Sequence, residues 1–271
     1  MAKITKVSAQ KRPGRYNIFL DGKYAFSASE KTLANFRLFK DTELTAEEIE
    51  EIKQFDLDSK ASDLAAKFLS YQPRTVYEVV VYLKEKDLTD EAINNAVSEF
   101  EDLGYLDDSN YCVLFIKNNL HVGKDGPKSL ANKLRKKGVS DNKIEDALNE
   151  FDDEDFIEAG IRLIKSMKHQ QGKLAFKELK RKSLTKLMSH GFDHNLAENI
   201  FAKLDLVEDN DYELDAIKRQ GIKAYKRFKN LDETQRKYKI KNYLYTHGFS
   251  STAIDEFLAG EIVNLSELDE Y

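Results

Sequence analysis

His190 and His194 stand four residues apart, the spacing at which two imidazoles on one helix face can hold a metal, and Cys112 is the single thiol of the chain. Neither feature carries chemistry once its surroundings are read. Gly191 interrupts the helix that the histidine pair would need, and His190 occupies a slot filled at equivalent places by Lys86, Lys137 and His247. A cation there sits over the exposed carbonyls of a helix end, which accounts for it without a metal. Cys112 lies in the apolar run YCVLFI (111–116), the setting of a buried structural thiol, and one cysteine forms no internal disulfide. The phosphate-loop pattern G-x-x-x-x-G-K-[ST], H-E-x-x-H, paired CxxC and G-x-S-x-G are missing. The expectation is a protein that is not an enzyme, with no cofactor and no metal.

Cations offer a different chemistry, the recognition of anions. Three runs, KSLANKLRKK (128–137), KELKRKSLTK (177–186) and QRKYKIKNYLY (235–245), mix lysine and arginine with apolar or aromatic positions, as nucleic-acid surfaces do. The net charge of −5 hides this unevenness. Residues 117–137 carry seven cations against one anion, 162–186 nine against one and 217–241 ten against two, whereas 61–108 carries four against eleven. Candidate binding residues, chosen on charge alone, are Lys117, Lys124, Lys128, Lys133, Arg135, Lys136 and Lys137, then Lys177, Lys180, Arg181 and Lys182, then Arg236, Lys237, Lys239 and Lys241. A single run reads equally well as a solvated helix face. Three at equivalent places in successive repeats would line up on one side and suit a polyanion or an acidic protein groove.

The elements that must position these residues form a repeat. Leu83, Leu88, Ile93, Val97 and Phe100 recur, at matching offsets, as Leu134, Val139, Ile144, Leu148 and Phe151. They recur again as Leu187, Phe192, Ala197, Phe201 and Leu204, and once more as Leu244, Phe249, Ile254 and Leu258. Each copy has a polar break, Lys86-Asp87, Lys137-Gly138, His190-Gly191 or His247-Gly248, where one helix ends in a left-handed residue. The next helix starts at Thr89, Ser140, Asp193 or Ser250, whose side chains can accept from its free N–H groups. A preceding helix opens at an acidic run closed by an aromatic: DDSNY to Tyr111, DDEDF to Phe156 and EDNDY to Tyr212. Gln72-Pro73-Arg74 and Asp125-Gly126-Pro127 break the chain before the second helix.

Three helices per unit follow, with units at 61–108, 109–155, 156–211 and 212–260 and an acidic tail at 261–271. Residues 1–60 differ. Ile4 and Val7 and the runs YNIFLD and KYAFSAS, split at Asp21-Gly22, read as strands with a tight hairpin turn. A capping box at Thr45 and Glu48 then opens an acidic helix over 46–54. The fold class expected is mostly α: tandem three-helix repeats in an elongated curved array with a small N-terminal β-hairpin segment.

Composition agrees with such an array, since 34% charged and 41% hydrophobic residues with three prolines suit a helix-rich chain that buries its core in thin layers. No apolar run approaches the ~20 residues needed to cross a bilayer, and the start MAKITKVSAQKR lacks the apolar stretch of a secretory signal. A monomer in the cytoplasm, with no membrane partner, is expected.

With the unit defined, the sequence resembles the RecX family, bacterial regulators of the RecA recombinase. The likeness is carried by Arg74-Thr-x-x-Glu78-Val-x-x-Tyr82-Leu83-x-x-Lys86 followed by Ile93 and Phe100, by Gly104-Tyr-x-Asp107-Asp108-x-x-Tyr111, and by Gly126-Pro127-x-x-Leu130-x-x-Lys133-Leu134-x-x-Lys137-Gly138-Val139. These cover the first two units; the last two match as apolar skeletons. Asp87 stands where the family usually has glycine, and Lys133 where an acidic residue is common. A fourth unit and a strand-bearing start resemble the longer form of Gram-positive bacteria. The resemblance implies a non-enzymatic modulator that lies in the groove of a RecA filament on DNA and hinders its ATPase and strand exchange, in DNA repair and recombination. The partners it implies are the RecA filament and, weakly, single- and double-stranded DNA. Residue chemistry alone also fits a stand-alone, sequence-independent DNA-binding or scaffold protein. The third helices, DEAINNAVSEFED and DNKIEDALNEFDDED, are acidic, which is unlike a recognition helix in a major groove.

Overall fold

Four strands open the chain, all antiparallel, in the order β3-β2-β1-β4. They are β1 (Ala2–Ala9), β2 (Arg15–Leu20), β3 (Lys23–Ser29) and the two-residue β4 (Glu43–Leu44), with the short helix α1 (Glu30–Asn35) between β3 and β4. The computed structural model describes residues 1–271 other than 12, 207, 266, 267 and 269–271, so part of the expected acidic tail, Ser266, Glu267 and Asp269 to Tyr271, lies outside the described residues. The hairpin turns at Asp21 (φ +47°) and Gly22 (φ +82°), as its sequence predicts. The sheet is larger than that hairpin. β1 pairs with β2 through an irregularity between Ile4 and Lys6, and β4 adds two residues on its far side. Ile4, Ile18, Phe26, Leu38, Leu44 and Ile52 make its core.

Helix α2 (Ala46–Leu69) opens on the expected capping box, Thr45 with Glu48, and then runs past residue 54 without a break. Nothing stops it, because no glycine or proline occurs between 46 and 69. Asp56 in its middle is buried and accepts from Arg15 Nη1 (2.7 Å), Ser29 N (2.6 Å) and Thr32 Oγ1 (2.8 Å), so the sheet is bolted to a helix whose later turns belong to the first three-helix module.

That module comprises the second half of α2 with α3 (Val76–Lys84) and α4 (Asp90–Asp102), around Ala61, Ala65, Val79, Leu83, Ile93 and Phe100. Next in sequence come α5 (Asp108–Val122), α6 (Pro127–Lys136) and α7 (Asp141–Asn149). The third set is α8 (Ile157–Ile164), a 3-10 turn (Lys165–Gln170), α9 (Phe176–Ser189) and α10 (His194–Ala202). The fourth is α11 (Asn210–Arg227), α12 (Glu233–Thr246) and α13 (Ser251–Ala259), around Ile217, Ile240, Leu244, Phe249, Ile254 and Phe257. Mostly helical architecture with repeated three-helix modules and an N-terminal sheet is therefore what the chain adopts. In the fourth module the skeleton shifts by one residue at its end: Phe257 is fully buried and Leu258 only partly.

The chain divides into two compact units, residues 1–112 with 134–144 and residues 113–133 with 145–271, a boundary that runs through the second module.

Candidate binding surfaces on the second helices

The basic runs fall on α6, α9 and α12, the second helices of their modules, and the ends of these helices have structural work before any ligand arrives. At the start of α3, Thr75 is buried and donates its hydroxyl to Lys137 O (2.7 Å), while Glu78 accepts from Lys137 Nζ (2.7 Å). At the start of α6, Gly126 N donates to His190 O (2.8 Å) and Lys128 N to Gly191 O (3.1 Å). At the start of α9, the Glu178 nitrogen lies 3.2 Å from where a Cβ on Gly248 would stand. One joint thus recurs three times: the start of a second helix rests on the turn that ends the second helix of the following module. An acidic side chain from the next first helix completes two of these joints. Asp108 accepts from Val76 N (3.0 Å) and Glu213 from Phe176 N. In the middle joint the corresponding residue is Pro127, which has no N–H to satisfy.

Several candidate cations belong to these joints or to nearby ion pairs. Lys137 is half-buried, 5.5 Å above the Tyr111 ring. Burial alone would lower its pKa, but hydrogen bonds to Glu78 and Tyr111 outweigh that and raise it. Burial would likewise raise Glu78, yet Lys137, the Thr75 N–H and Arg74 hold its carboxyl below the usual range. Lys133 pairs with Asp125, which Ser129 Oγ (3.3 Å) and His190 Nδ1 (3.5 Å) also approach. Burial pushes Asp125 up, and these partners together bring it below its ordinary value. Arg135 bonds Asp141 at 2.5 Å and Lys180 bonds Glu198 at 2.7 Å. Arg181 and Lys182 share the buried Glu178 at 2.7 and 3.4 Å. Lys237 pairs with Glu233, Lys241 with Asp255, and Arg236 lies 4.7 Å over the Tyr225 ring. Six candidates carry no ion pair among the described residues: Lys117, Lys124, Lys128, Lys136, Lys177 and Lys239, all but Lys124 on helices and all exposed.

The candidates chosen on charge leave out the second half of α11, although the charge count over 217–241 includes it. Lys218, Arg219, Lys223, Lys226 and Arg227 on that helix, with Lys229 just beyond it, are exposed and carry no ion pair among the described residues. The candidates were drawn mainly from the second helices, where the basic runs 128–137, 177–186 and 235–245 lie, and α11 is a first helix.

Catalytic chemistry has no foothold at the residues first considered. Cys112 is fully buried, and burial, helped by Asp108, pushes its thiol up to about 11, so it stays protonated near neutrality. His190 ends α9 and His194 begins α10, and no group of three potential metal ligands occurs among the described residues. No helix among the described residues is long and apolar enough to cross a membrane.

Comparison with known proteins settles the lineage. A chain from Lactobacillus johnsonii described as "Regulatory protein RecX" is 54% identical over 268 residues, 99% of each chain. The chain belongs to the RecX family. A RecX of Lactobacillus delbrueckii subsp. bulgaricus is 53% identical over 271 residues, all of both chains. A crystal structure of regulatory protein RecX matches 74% of this chain and all of its own, with 34% identity and a TM-score of 0.60. RecX from Lactobacillus salivarius matches 56% of this chain and 99% of its own, with 30% identity and a TM-score of 0.53. The family model for the RecX N-terminal domain covers residues 2–45, that for the first three-helix domain 61–100 and that for the third 211–258. The last of these falls on α11–α13. Two modules, α5–α7 and α8–α10, therefore lie between the family's first and third domains in this chain.

Proposed function

We propose that this protein binds the RecA filament assembled on DNA and lowers its ATP hydrolysis and strand exchange, acting by occupancy rather than by chemistry. Membership of the RecX family supports a regulatory role. The observation that carries the finer reading is the placement of exposed cations on the second helices of successive modules. Lys128 and Lys136 lie two turns apart on the outer side of α6, opposite Leu130 and Leu134; Lys177 begins α9, and Lys239 is exposed on α12. Each of the four helical units, 61–108, 109–155, 156–211 and 212–260, would offer one such helix, the acidic first unit excepted. Other candidates are Lys117 and Lys124 and the paired residues Lys133, Arg135, Lys180, Lys237 and Lys241, whose largely exposed ion pairs are worth ~1 kcal/mol or less and can exchange one carboxylate for another or for a phosphate; Arg181 and Lys182 are held by the buried Glu178. Lys137 is built into a joint.

The test is DNA-dependent ATP hydrolysis by RecA titrated with this protein, beside a titration of the protein with the same DNA alone. Hydrolysis should fall at protein concentrations too low for the protein to cover free DNA. If hydrolysis falls only when the protein coats the DNA, the activity is that of a stand-alone DNA-binding protein. If it never falls, RecA is not the target.

A further inference from the structure

Helix α12 differs from the other basic second helices, α6 and α9, in what it shows to solvent. Ile240 and Leu244 are buried against its module, and the opposite side carries Thr234, Tyr238, Asn242 and Tyr245, spaced four, four and three apart and all exposed. Tyr238 is 64% and Tyr245 66% exposed. Seven residues separate the two rings, which sets them about 10 Å apart along the helix. α6 has no aromatic residue, and the only one on α9, Phe176, is half-buried. Two large, wet phenol rings on a helix with four cations are not explained by folding, because they bury little.

The charge around them selects the partner. α12 holds Arg236, Lys237, Lys239 and Lys241 against Glu233 alone, and the later half of α11 in the same module adds Lys218, Arg219, Lys223, Lys226 and Arg227 with no acid. Among the described residues Glu233 pairs with Lys237 at 2.7 Å and Asp255 with Lys241 at 2.8 Å, both acids exposed. A surface of this kind attracts a polyanion, and bare rings add what phosphate contacts lack, a place for an unpaired base to lie flat. Double-stranded DNA hides its base faces in the stack and leaves the rings without a ligand.

We infer that the outer face of α12 is a stacking platform for single-stranded nucleic acid, with Tyr238 and Tyr245 taking bases and Lys239 and its neighbouring cations on that helix taking the backbone. This deepens the proposed function by naming the strand that one module would hold, and it is tested without RecA so that the two can fail separately. Full-length protein is titrated with a twenty-nucleotide oligo(dT) and with a duplex of equal length. Tyr238→Ala and Tyr245→Ala should each weaken oligo(dT) binding about tenfold, the usual effect of losing one stacked base, while duplex affinity changes less than twofold. Tyr→Phe at both positions should bind like the parent, since the ring is kept.

The chain has no tryptophan, so Tyr238→Trp supplies its one indole, whose fluorescence, excited on the red side of the tyrosine band, should be quenched by oligo(dT) and not by duplex. This arm does not depend on how the alanine variants fold. Alanine variants that bind oligo(dT) as tightly as the parent would overturn the proposal, as would equal losses for duplex and single strand. An indole emission unmoved at saturating oligo(dT) would do the same.

Discussion

Two turns of the same kind end α3 and α6, and they differ by one residue: Lys86-Asp87 in the first, Lys137-Gly138 in the second. Both put their last residue in the left-handed region, Asp87 at φ +54° and Gly138 at φ +79°. Aspartate tolerates that conformation better than most residues, so ending a helix is not what demands glycine here. A Cβ on Gly138 would come within 2.3 Å of the Tyr77 ring, because the start of α3 rests on this turn. Asp87 lies in the first module, is exposed, and receives no such helix among the described residues. The glycines at 138, 191 and 248 mark where a preceding module docks, and the first module, having none of its own kind before it, needs no glycine.

The strongest way to break this comparison is to place a side chain at a docked turn. A Cβ on Gly191 would fall 2.2 Å from Ser129 N and 2.9 Å from Ser129 Cα, both backbone, at φ +88°. Gly191→Ala should cost about 2–5 kcal/mol, from crowding and left-handed strain together. Urea unfolding measures it. If Gly191→Ala costs no more than Asp87→Ala, the joint is not what holds the glycine. Leu134→Ala serves as a core reference and should cost about 2–5 kcal/mol, since Leu134 is fully buried.

A smaller effect separates the joints by pH. The Glu78 carboxyl is held below its ordinary value, so its contribution is present above the unfolded carboxylate pKa and is lost as pH falls through the folded one. Lys137 is raised, so its share persists below its unfolded pKa and is lost only as pH rises through the higher folded value. The α3 joint should therefore hold across neutrality and weaken in acid. Glu213 at the α9 joint behaves in the opposite sense. Burial raises its carboxyl more than the Phe176 N–H lowers it, so its contribution is present below the unfolded pKa and falls as pH rises through the folded one. Glu78→Gln is expected to cost about 1 kcal/mol at pH 7 and progressively less toward pH 4, a partly exposed pair being screened. Glu213→Gln should be neutral or slightly stabilising at pH 7 and lose that advantage in acid. Chemical denaturation at both pH values reads the two trends, and parallel trends would contradict the assignment.

What the sequence announced and what it hid divide along the range of the interaction. Local chemistry was legible: Thr89, Asp193 and Ser250 each accept from the backbone N–H three residues on, Pro127 begins α6, and the left-handed turns stand where Lys-Gly and His-Gly dipeptides put them. Non-local contacts were not. Thr75 and Lys137 are 62 residues apart, and nothing in either stretch names the other, so Lys137 read as a surface cation. Glu178 is the lone acid in its basic run and looked incidental, yet it is buried and holds Arg181 and Lys182. β4 has two residues, too few to show a period of two, and α2 crosses from the sheet to the first module with no break to mark the change.

The smallest expected effect is the most discriminating. Asp87→Gly relieves a left-handed residue of its Cβ, a gain of up to about 1 kcal/mol, while glycine adds freedom to the unfolded chain at a cost of similar size. The two nearly cancel, and the variant should unfold within about 0.5 kcal/mol of the parent. Glycine at a docked turn relieves the same strain and in addition admits a neighbouring helix, so Gly138→Asp, the reverse exchange one module on, should fail by several times that margin against Tyr77. The pair of substitutions swaps the same two residues between two turns of nearly the same backbone shape, and the difference between their costs measures the approach of α3 alone. Should Asp87→Gly stabilise as much as Gly138→Asp destabilises, conformation would account for both turns and the docking of modules for neither.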